Sequence, residues 1–458
     1  MISTMHAIQR TGLALLALLV STLACLAQTT VTDHRTPGGI AFRHALVSAD
    51  THHAIAFGWR DGQASAFPGK EGLVALAPEL LLEGSGNLSR NADHEQLTDL
   101  QASIRLRSTT RNTIGTISAP PQNLGAAVKL FAAKLADPAL PADKLKLRQG
   151  NLLAGLAQAG EQAETLALRV FLRVTLGEGP ALRVLAYEPD SIASVTVADV
   201  ESWRRAVLAR DTVVVASAGP MPAADVAIEI DRLLERLPAK AELAQPAISA
   251  PRQPGRLIVI EKPVAQTAIV AGGPSGWRND PDVVRGSIAV RTLSGGFGSR
   301  LYGALRETLG AVYGVKAELQ AIDDERHLFV IRAAVANDKA AAALAAIRAE
   351  YARFLSKGVT ETEVAPLKTK LIAEVREAWR RALGTARAMR NFALAGHPPD
   401  HMATYATKVA ELTTEAVNEG IRTKFPKAPL TVIMVAPSAA GLAADCVIKS
   451  AAEIGRCE

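Results

Sequence analysis

The sequence predicts a chain built from two copies of a unit of roughly 200 residues in which strands and helices are mixed. Three observations predict it. Thr196 and Val200 match Thr413 and Val417, an offset of 413 − 196 = 217, and Pro220 and Pro437 keep that offset after their strands. Leu140, Leu145, Leu152 and Leu153 match Val359, Val364, Leu371 and Ile372, an offset of 359 − 140 = 219. Between the copies, Pro238, Pro246, Pro251 and Pro254 alternate with Ala and Gln without a sustained period, as a linker does. Near-constant offsets over separate elements indicate duplication.

In the first copy, residues 39–47 and 54–59 read as two strands, with His52 and His53 in the turn between them as exposed histidines. A helix opens near Gly72, with Leu73, Leu76, Ala77 and Leu80 at i, i+3, i+4 and i+7. Pro78 falls inside it, and the missing N–H predicts a kink or restart there. A polar helix over 91–100, strands over 104–107 and 113–118, and helices over 124–135 and from 141 past 156 follow. Thr196 caps the next helix with Asp199 as its acidic partner, and Val213 to Ala216 is a strand. In the second copy, strands at 257–260 and 267–270 precede a helix, 328–332 is a strand, and 338–358 is an amphipathic helix carrying Leu344, Ile347, Tyr351, Phe354 and Leu355.

The 458 residues are 48% hydrophobic, ample for sizeable cores, with only 4% aromatic. The formal charge is +6, but basic and acidic residues are interspersed. Without a basic block or aromatic platforms, nucleic-acid binding has little support. Arg10 precedes the short apolar run 13–20, and small residues follow to Ala27, which reads as an export signal over residues 1–27 of a periplasmic protein. The alternative is a lipoprotein acylated at Cys25. No later run reaches about 18 apolar residues, so no transmembrane segment is expected in the mature chain. In an oxidising compartment the remaining pair, Cys446 and Cys457, is a candidate disulfide rather than a metal site.

The most informative stretch begins at Leu293. An apolar run (Ile288, Val290, Leu293) enters a glycine loop, Gly295, Gly296 and Gly298, where glycine permits positive φ and close backbone approach. Ser299 is placed to cap a helix with Leu301, Leu305 and Leu309 on one stripe, and Gly310 to end it. Arg306 projects from that helix, and Tyr313 opens a strand. No Gly-Lys-Ser/Thr follows, which argues against a nucleotide loop.

This order, glycine loop, Leu305-Arg306-Glu307 and then Gly310-x-x-Tyr313, resembles the C-terminal-half signature of the insulinase-like (M16, pitrilysin-type) metallopeptidases and their non-catalytic relatives. The resemblance implies an α+β fold of two duplicated domains, each a mainly antiparallel sheet with helices packed on one face. It divides the chain into residues 28–237, a linker at 238–255, and residues 256–458. It also implies that Arg306 and Tyr313 contact a bound peptide.

Active members carry His-x-x-Glu-His on the first helix of the N-terminal half, two zinc ligands around a general base, with a distant glutamate as third ligand. By resemblance Ala75 stands for the first histidine, Pro78 for the base and Glu79 for the second histidine. Residues 144–155, where the third ligand belongs, contain no acidic residue. No metal is therefore expected on this chain and no catalytic residue within it alone. His397 and His401 have the i, i+4 spacing of ligands, but Pro398 and Pro399 argue for a loop, and His94 has no partner at ligand spacing. The resemblance thus implies a non-catalytic subunit of a heteromeric peptidase, giving peptide contacts in trans to a zinc-bearing M16 partner. The alternative is an assembly protein using the fold as a binding surface.

Overall fold

A computed structural model of the chain describes residues 30–60, 67–85, 88–109, 111–177, 182, 185–186, 188–243, 250–277, 283–322 and 327–457. The expected export signal with Cys25, and residues 244–249 of the expected linker, lie outside the described residues.

The first half runs β1 (Val31–Arg35), β2 (Ala41–Leu46), β3 (His53–Arg60), α1 (Leu73–Leu81), the short pair β4 (Gly84–Ser85) and β5 (Leu88–Ser89), α2 (Arg90–Asp99), β6 (Ser103–Ser108), β7 (Asn112–Ala119), α3 (Pro121–Ala136), α4 (Ala142–Glu161), α5 (Ala163–Leu176), α6 (Val197–Val207), β8 (Val213–Gly219) and α7 (Ala223–Leu234). The second runs β9 (Leu257–Glu261), β10 (Thr267–Ser275), α8 (Val283–Ser294), β11 (Val312–Ala321), β12 (His327–Val335), α9 (Ala340–Lys357), α10 (Glu361–Ala378), α11 (Ala382–Leu394), α12 (His401–Glu411), α13 (Thr414–Lys424), β13 (Thr431–Ala436) and β14 (Cys446–Ile448).

Strand order is β1-β2-β8-β3-β7-β6 in the first sheet and, read from the matching edge, β14-β9-β13-β10-β12-β11 in the second. Each sheet is mainly antiparallel, with the β2/β8 pair and its counterpart β9/β13 parallel. The sheets differ at one edge, where β14 pairs parallel to β9 but β1 pairs antiparallel to β2. The duplication read from the sequence is therefore a duplication of sheet topology.

Alternation explains what each sheet buries. Along β3, Ile55, Phe57 and Trp59 point into the first core with Leu73, Leu76, Leu80, Phe131 and Trp203. Ala54 and Ala56 point the other way, onto a second layer. A strand apolar on both faces needs cover on both. That second cover comes from the opposite half. Helix α11 lays Ala382, Ala386 and Met389 on Ala45, Ala54, Ala56, Ala216 and Ala218 of the first sheet, while α5 lays Ala167, Val170 and Phe171 on Ile258, Val270, Ile433 and Val435 of the second. These helices are themselves repeat mates, at an offset of 382 − 163 = 219.

Glycine sets how closely they approach. A Cβ at Gly58 in β3 would come within 2.9 Å of Leu394 Cδ1, and one at Gly272 in β10 within 3.1 Å of Phe171 Cζ and 2.0 Å of Phe329 O. Polar contacts fasten the exchange: Ala382 N–H donates to Asp50 Oδ2 at 2.7 Å, Arg60 Nη2 to Ala393 O at 2.7 Å, and Arg43 Nη2 to His397 O at 2.8 Å.

Two local expectations are corrected. Helix α1 continues through Pro78 instead of breaking. Proline removes one N–H there, and the burial of Leu73, Leu76, Ala77, Leu80 and Leu81 on both sides of it outweighs that loss. His53 is not an exposed turn residue; it opens β3, is fully buried, and stacks on His44 with centroids 5.9 Å apart. The strand begins one residue earlier than its apolar run, which draws His53 inside.

Cys446 and Cys457 are joined by a disulfide that ties β14 to the C-terminal 3-10 turn. Among the described residues, no helix is long and apolar enough to cross a membrane.

Candidate functional site

The site has two parts, one in each half. In the first, α1 places Ala75, Pro78 and Glu79 on successive turns, with Ala75 partly buried, Pro78 buried and Glu79 exposed. Facing them, α4 supplies Arg148 from the 144–155 segment. Arg148 Nη1 donates to Glu79 Oε2 at 2.8 Å, and its Nε to Glu83 Oε1 at 2.8 Å, with Nη2 on the same Glu83 oxygen. The Glu83 side chain is only 5% exposed, and the guanidinium offsets part of the cost of burying its carboxylate.

These residues do not fit a zinc ion. Two of the three α1 positions carry no ligating atom, and the remaining carboxylate is engaged by a fixed cation. Among the described residues, no group of three or more His, Cys, Asp or Glu side chains is arranged to hold a metal. His397 and His401 stack at 4.0 Å between centroids, with His401 at the start of α12 against Phe392 and Tyr405. Burial foremost, then the charges of His397 and Lys408, pushes His401 down to about 4.

In the second half, α8 delivers the chain to the glycine loop. Leu293 is fully buried, and Ser294 Oγ donates to Val315 O at 2.9 Å, fixing the end of α8 to β11. A Cβ at Gly295 would lie 2.3 Å from Arg291 O, and Gly296 and Gly298 have φ of +104° and +84°. Only glycine takes this path without strain. Ser299 does not cap through its side chain, contrary to expectation. Its hydroxyl donates back to Gly296 O at 2.7 Å and tightens the loop instead.

A single helical turn, Arg300–Tyr302, then widens into a π-helical stretch, Gly303–Thr308, rather than the regular helix that the leucine spacing suggests. Its wide hydrogen bonds include Leu309 N–H to Ala304 O at 3.3 Å and Ala311 N–H to Leu305 O at 2.8 Å. Such turns recur at functional sites because they displace side chains from the regular helical path. Leu301 and Leu305 anchor the stretch in the core, and Lys339 Nζ caps its end on Leu309 O at 2.9 Å. The base is clamped by Arg300, which donates to both Glu363 oxygens at 2.6 and 2.8 Å and to Gly358 O. Burial pulls the Glu363 carboxyl upward, but its bonds from Arg300 and Thr360 win and hold it at about 2.

Arg306 is half-buried, its Cζ 5.7 Å from the centroid of the Tyr302 ring. Phe297, 89% exposed at the loop tip, meets the same ring edge-on at 4.9 Å. Tyr302 thus joins loop and arginine, a link that the sequence reading missed although the i, i+4 spacing of Tyr302 and Arg306 could have signalled it. Tyr313 lies in β11 within a β-bulge, where the pairing with β12 slips between Val312 and Val315.

Comparison with known proteins agrees with this layout. The model of the peptidase M16 inactive domain matches residues 194–371. A zinc protease of Mycobacterium tuberculosis (strain ATCC 25618 / H37Rv), itself called uncharacterized, is 26% identical over 217 residues, 46% of this chain and 49% of that protein. The chain spans about half the length of the curated relatives it matches. Among solved structures, the peptidase M16 inactive domain from Pseudomonas fluorescens aligns with a TM-score of 0.79 at 22% identity, over 89% of this chain and 98% of that one. The periplasmic protease PqqL from Escherichia coli aligns with a TM-score of 0.77 at 16% identity, over 89% of this chain and 46% of that one. At these identities the structural likeness is one of fold.

Fold and site together define a duplicated α+β protein whose two six-stranded sheets share one strand order. Over residues 194–371 the chain is similar to the M16 peptidase family, and its sequence contains no His-x-x-Glu-His motif.

Proposed function

We propose that this chain is a non-catalytic subunit of a heteromeric M16-type peptidase, lending peptide contacts through Arg306 and Tyr313 to a zinc-bearing partner. One observation carries the reading: Arg148 spans Glu79 and Glu83 in the part of the first half where an active member would gather zinc ligands, while the second half keeps a built glycine loop with Arg306 beside it. A chain so divided can bind but has no means to activate water.

In this arrangement the partner holds the zinc and performs the hydrolysis. Arg306, with a permanent charge and planar donors, holds a substrate carbonyl or carboxylate. Tyr313 contributes a further hydrogen bond to the peptide, of the kind worth on the order of 3 kcal/mol when it meets a developing oxyanion. The E. coli neighbour offers indirect support, since this chain covers only 46% of it and leaves room there for a second unit of similar size. Export to an oxidising compartment belongs to the same proposal, supported by the Cys446–Cys457 disulfide and by that neighbour's description as periplasmic.

The test is peptide hydrolysis with this chain, with a zinc-bearing M16 partner, and with both. Activity confined to the mixture and lost on Arg306→Ala or Tyr313→Phe supports the proposal. Full activity of the mixture with both substitutions favours an assembly role instead. Zinc-dependent turnover by this chain alone overturns both.

A further inference from the structure

Where α5 of the first half crosses the second sheet, a cavity of about 280 Å³ remains beside the C-terminal 3-10 turn, Ala451–Cys457. Its floor is hydrocarbon: Val174 near the end of α5, Ile258 of β9 and Ile454 of the turn are all buried and belong to one apolar cluster. Cys457 forms part of the wall, and its disulfide to Cys446 holds the turn against β14. The rim is a strap of chain that carries Arg252 and Arg256. Both halves therefore build the cavity, and clefts between packed units are a usual place for small-molecule sites.

The strap is fixed along its backbone. Arg252 N–H donates to Thr175 O at 2.6 Å, Gly255 N–H to Thr431 Oγ1 at 3.3 Å, and Arg256 O accepts from Val432 N–H at 2.9 Å, while Gln253 Nε2 donates to Pro429 O at 2.9 Å. The Arg252 side chain lies over the end of α5: a Cβ at Gly177 would come within 2.8 Å of its Nη2, and glycine at φ of +63° leaves that space to the guanidinium. Arg256 Nη1 donates to Cys457 O at 2.5 Å, which holds the second guanidinium at the cavity wall. Among the described residues, neither arginine has a carboxylate partner, whereas Arg456 on the same turn has Glu453 at 2.9 Å. Two guanidinium groups without a counterion at the mouth of an apolar cavity favour a ligand that is anionic at one end and hydrocarbon at the other.

We infer that this cavity binds an aliphatic carboxylate of medium chain length, with its hydrocarbon on Val174, Ile258 and Ile454 and its carboxylate at Arg252 and Arg256. The planar guanidinium matches a carboxylate in shape as well as in charge. The volume suits a small ligand, since it falls at the lower end of the range of about 300–1,000 Å³ over which drug-sized sites occur. Because α5 comes from one half and the other walls from beyond the linker, an occupant touches both and stabilises their packing by mass action. The site stands whether or not the chain takes part in proteolysis.

Isothermal titration calorimetry of the chain with sodium octanoate tests it, beside 1-octanol, which lacks the charge, and sodium acetate, which lacks the chain. One equivalent of octanoate is expected to bind at least about tenfold more tightly than either control. Arg252 is exposed, so Arg252→Gln is compatible with an unchanged fold. This variant is expected to weaken octanoate about fivefold or more and to leave octanol unchanged, whereas a merely structural role would weaken both. Methyl NMR of isoleucine-labelled protein locates the ligand without any substitution: the Ile258 and Ile454 signals shift on addition of octanoate, and that of Ile228 on α7 does not. No binding of octanoate, binding of octanol as tight as octanoate, an Arg252→Gln variant with the original preference or with equal loss for both ligands, or an unmoved Ile454 signal overturns the assignment.

Discussion

Arg148 Nη1 lies 2.8 Å from Glu79 Oε2, and the same guanidinium neutralises Glu83 deeper in the core. Helices α1 and α4 are thus joined by a fixed organic cation, and the junction has a stability consequence that differs at its two ends. Arg148→Met removes a guanidinium that meets the buried Glu83 carboxylate and is expected to cost about 3 kcal/mol or more. Glu79→Gln, at a side chain 48% exposed, is expected to cost less than about 1 kcal/mol. Urea denaturation of the two variants checks the order; equal effects would show that the cation serves the surface and not Glu83.

The same junction predicts the metal content. Equilibrium dialysis of the purified chain against micromolar zinc, followed by elemental analysis, is expected to retain well below one equivalent. A stoichiometric ion abolished by Glu79→Ala would show that Arg148 yields its partners to a metal.

Stability is expected to fall with acid well before the carboxylates titrate. Burial, followed by the charge of His34, lowers His44 from 6.5 to about 4, and burial, followed by the charge of His44, lowers His53 to about 3. The unfolded chain then takes up protons near pH 6.5 that the native state refuses. The stabilisation is complete above that pH and is lost progressively as pH falls toward 4 and then 3, at up to about 1.4 kcal/mol per pH unit for each histidine. Urea unfolding at pH 7.5 and pH 5.0 measures the slope, and His53→Leu should reduce it by one proton's share. An unchanged slope in that variant would remove His53 as the cause.

Phe171 belongs to the first half of the sequence but to the core of the second sheet. Phe171→Ala is expected to destabilise the protein by about 3–5 kcal/mol. Amide exchange should accelerate first in β10 and β13, not in β3 and β8. Acceleration confined to the first sheet would contradict the exchanged packing.

Much of this architecture is legible in the residues. The offsets of 217 and 219 locate the repeat, and Thr196 with Asp199 forms the capping box that its spacing announces. What stayed hidden depends on partners remote in sequence. The pattern of Ala167, Val170, Phe171 and Val174 marks α5 as amphipathic, but nothing local says that its apolar face belongs to the other half's sheet. The absence of an acidic residue in 144–155 reads as a blank, whereas Arg148 fills it, because a charge's role is set by what it meets. The π-helical stretch at Arg306 was equally unreadable, since Leu301, Leu305 and Leu309 suit a regular helix just as well.

The crossing of α5 and α11 decides what a cut in the chain can achieve. A protease that severs the polypeptide between residues 238 and 255 breaks one covalent thread, yet each fragment still wears a helix across the other's sheet, so the nicked molecule should migrate whole and come apart only in denaturant. Neither half, expressed by itself, would have a roof for its own exposed sheet face, and evolution could shuffle this module only as a pair.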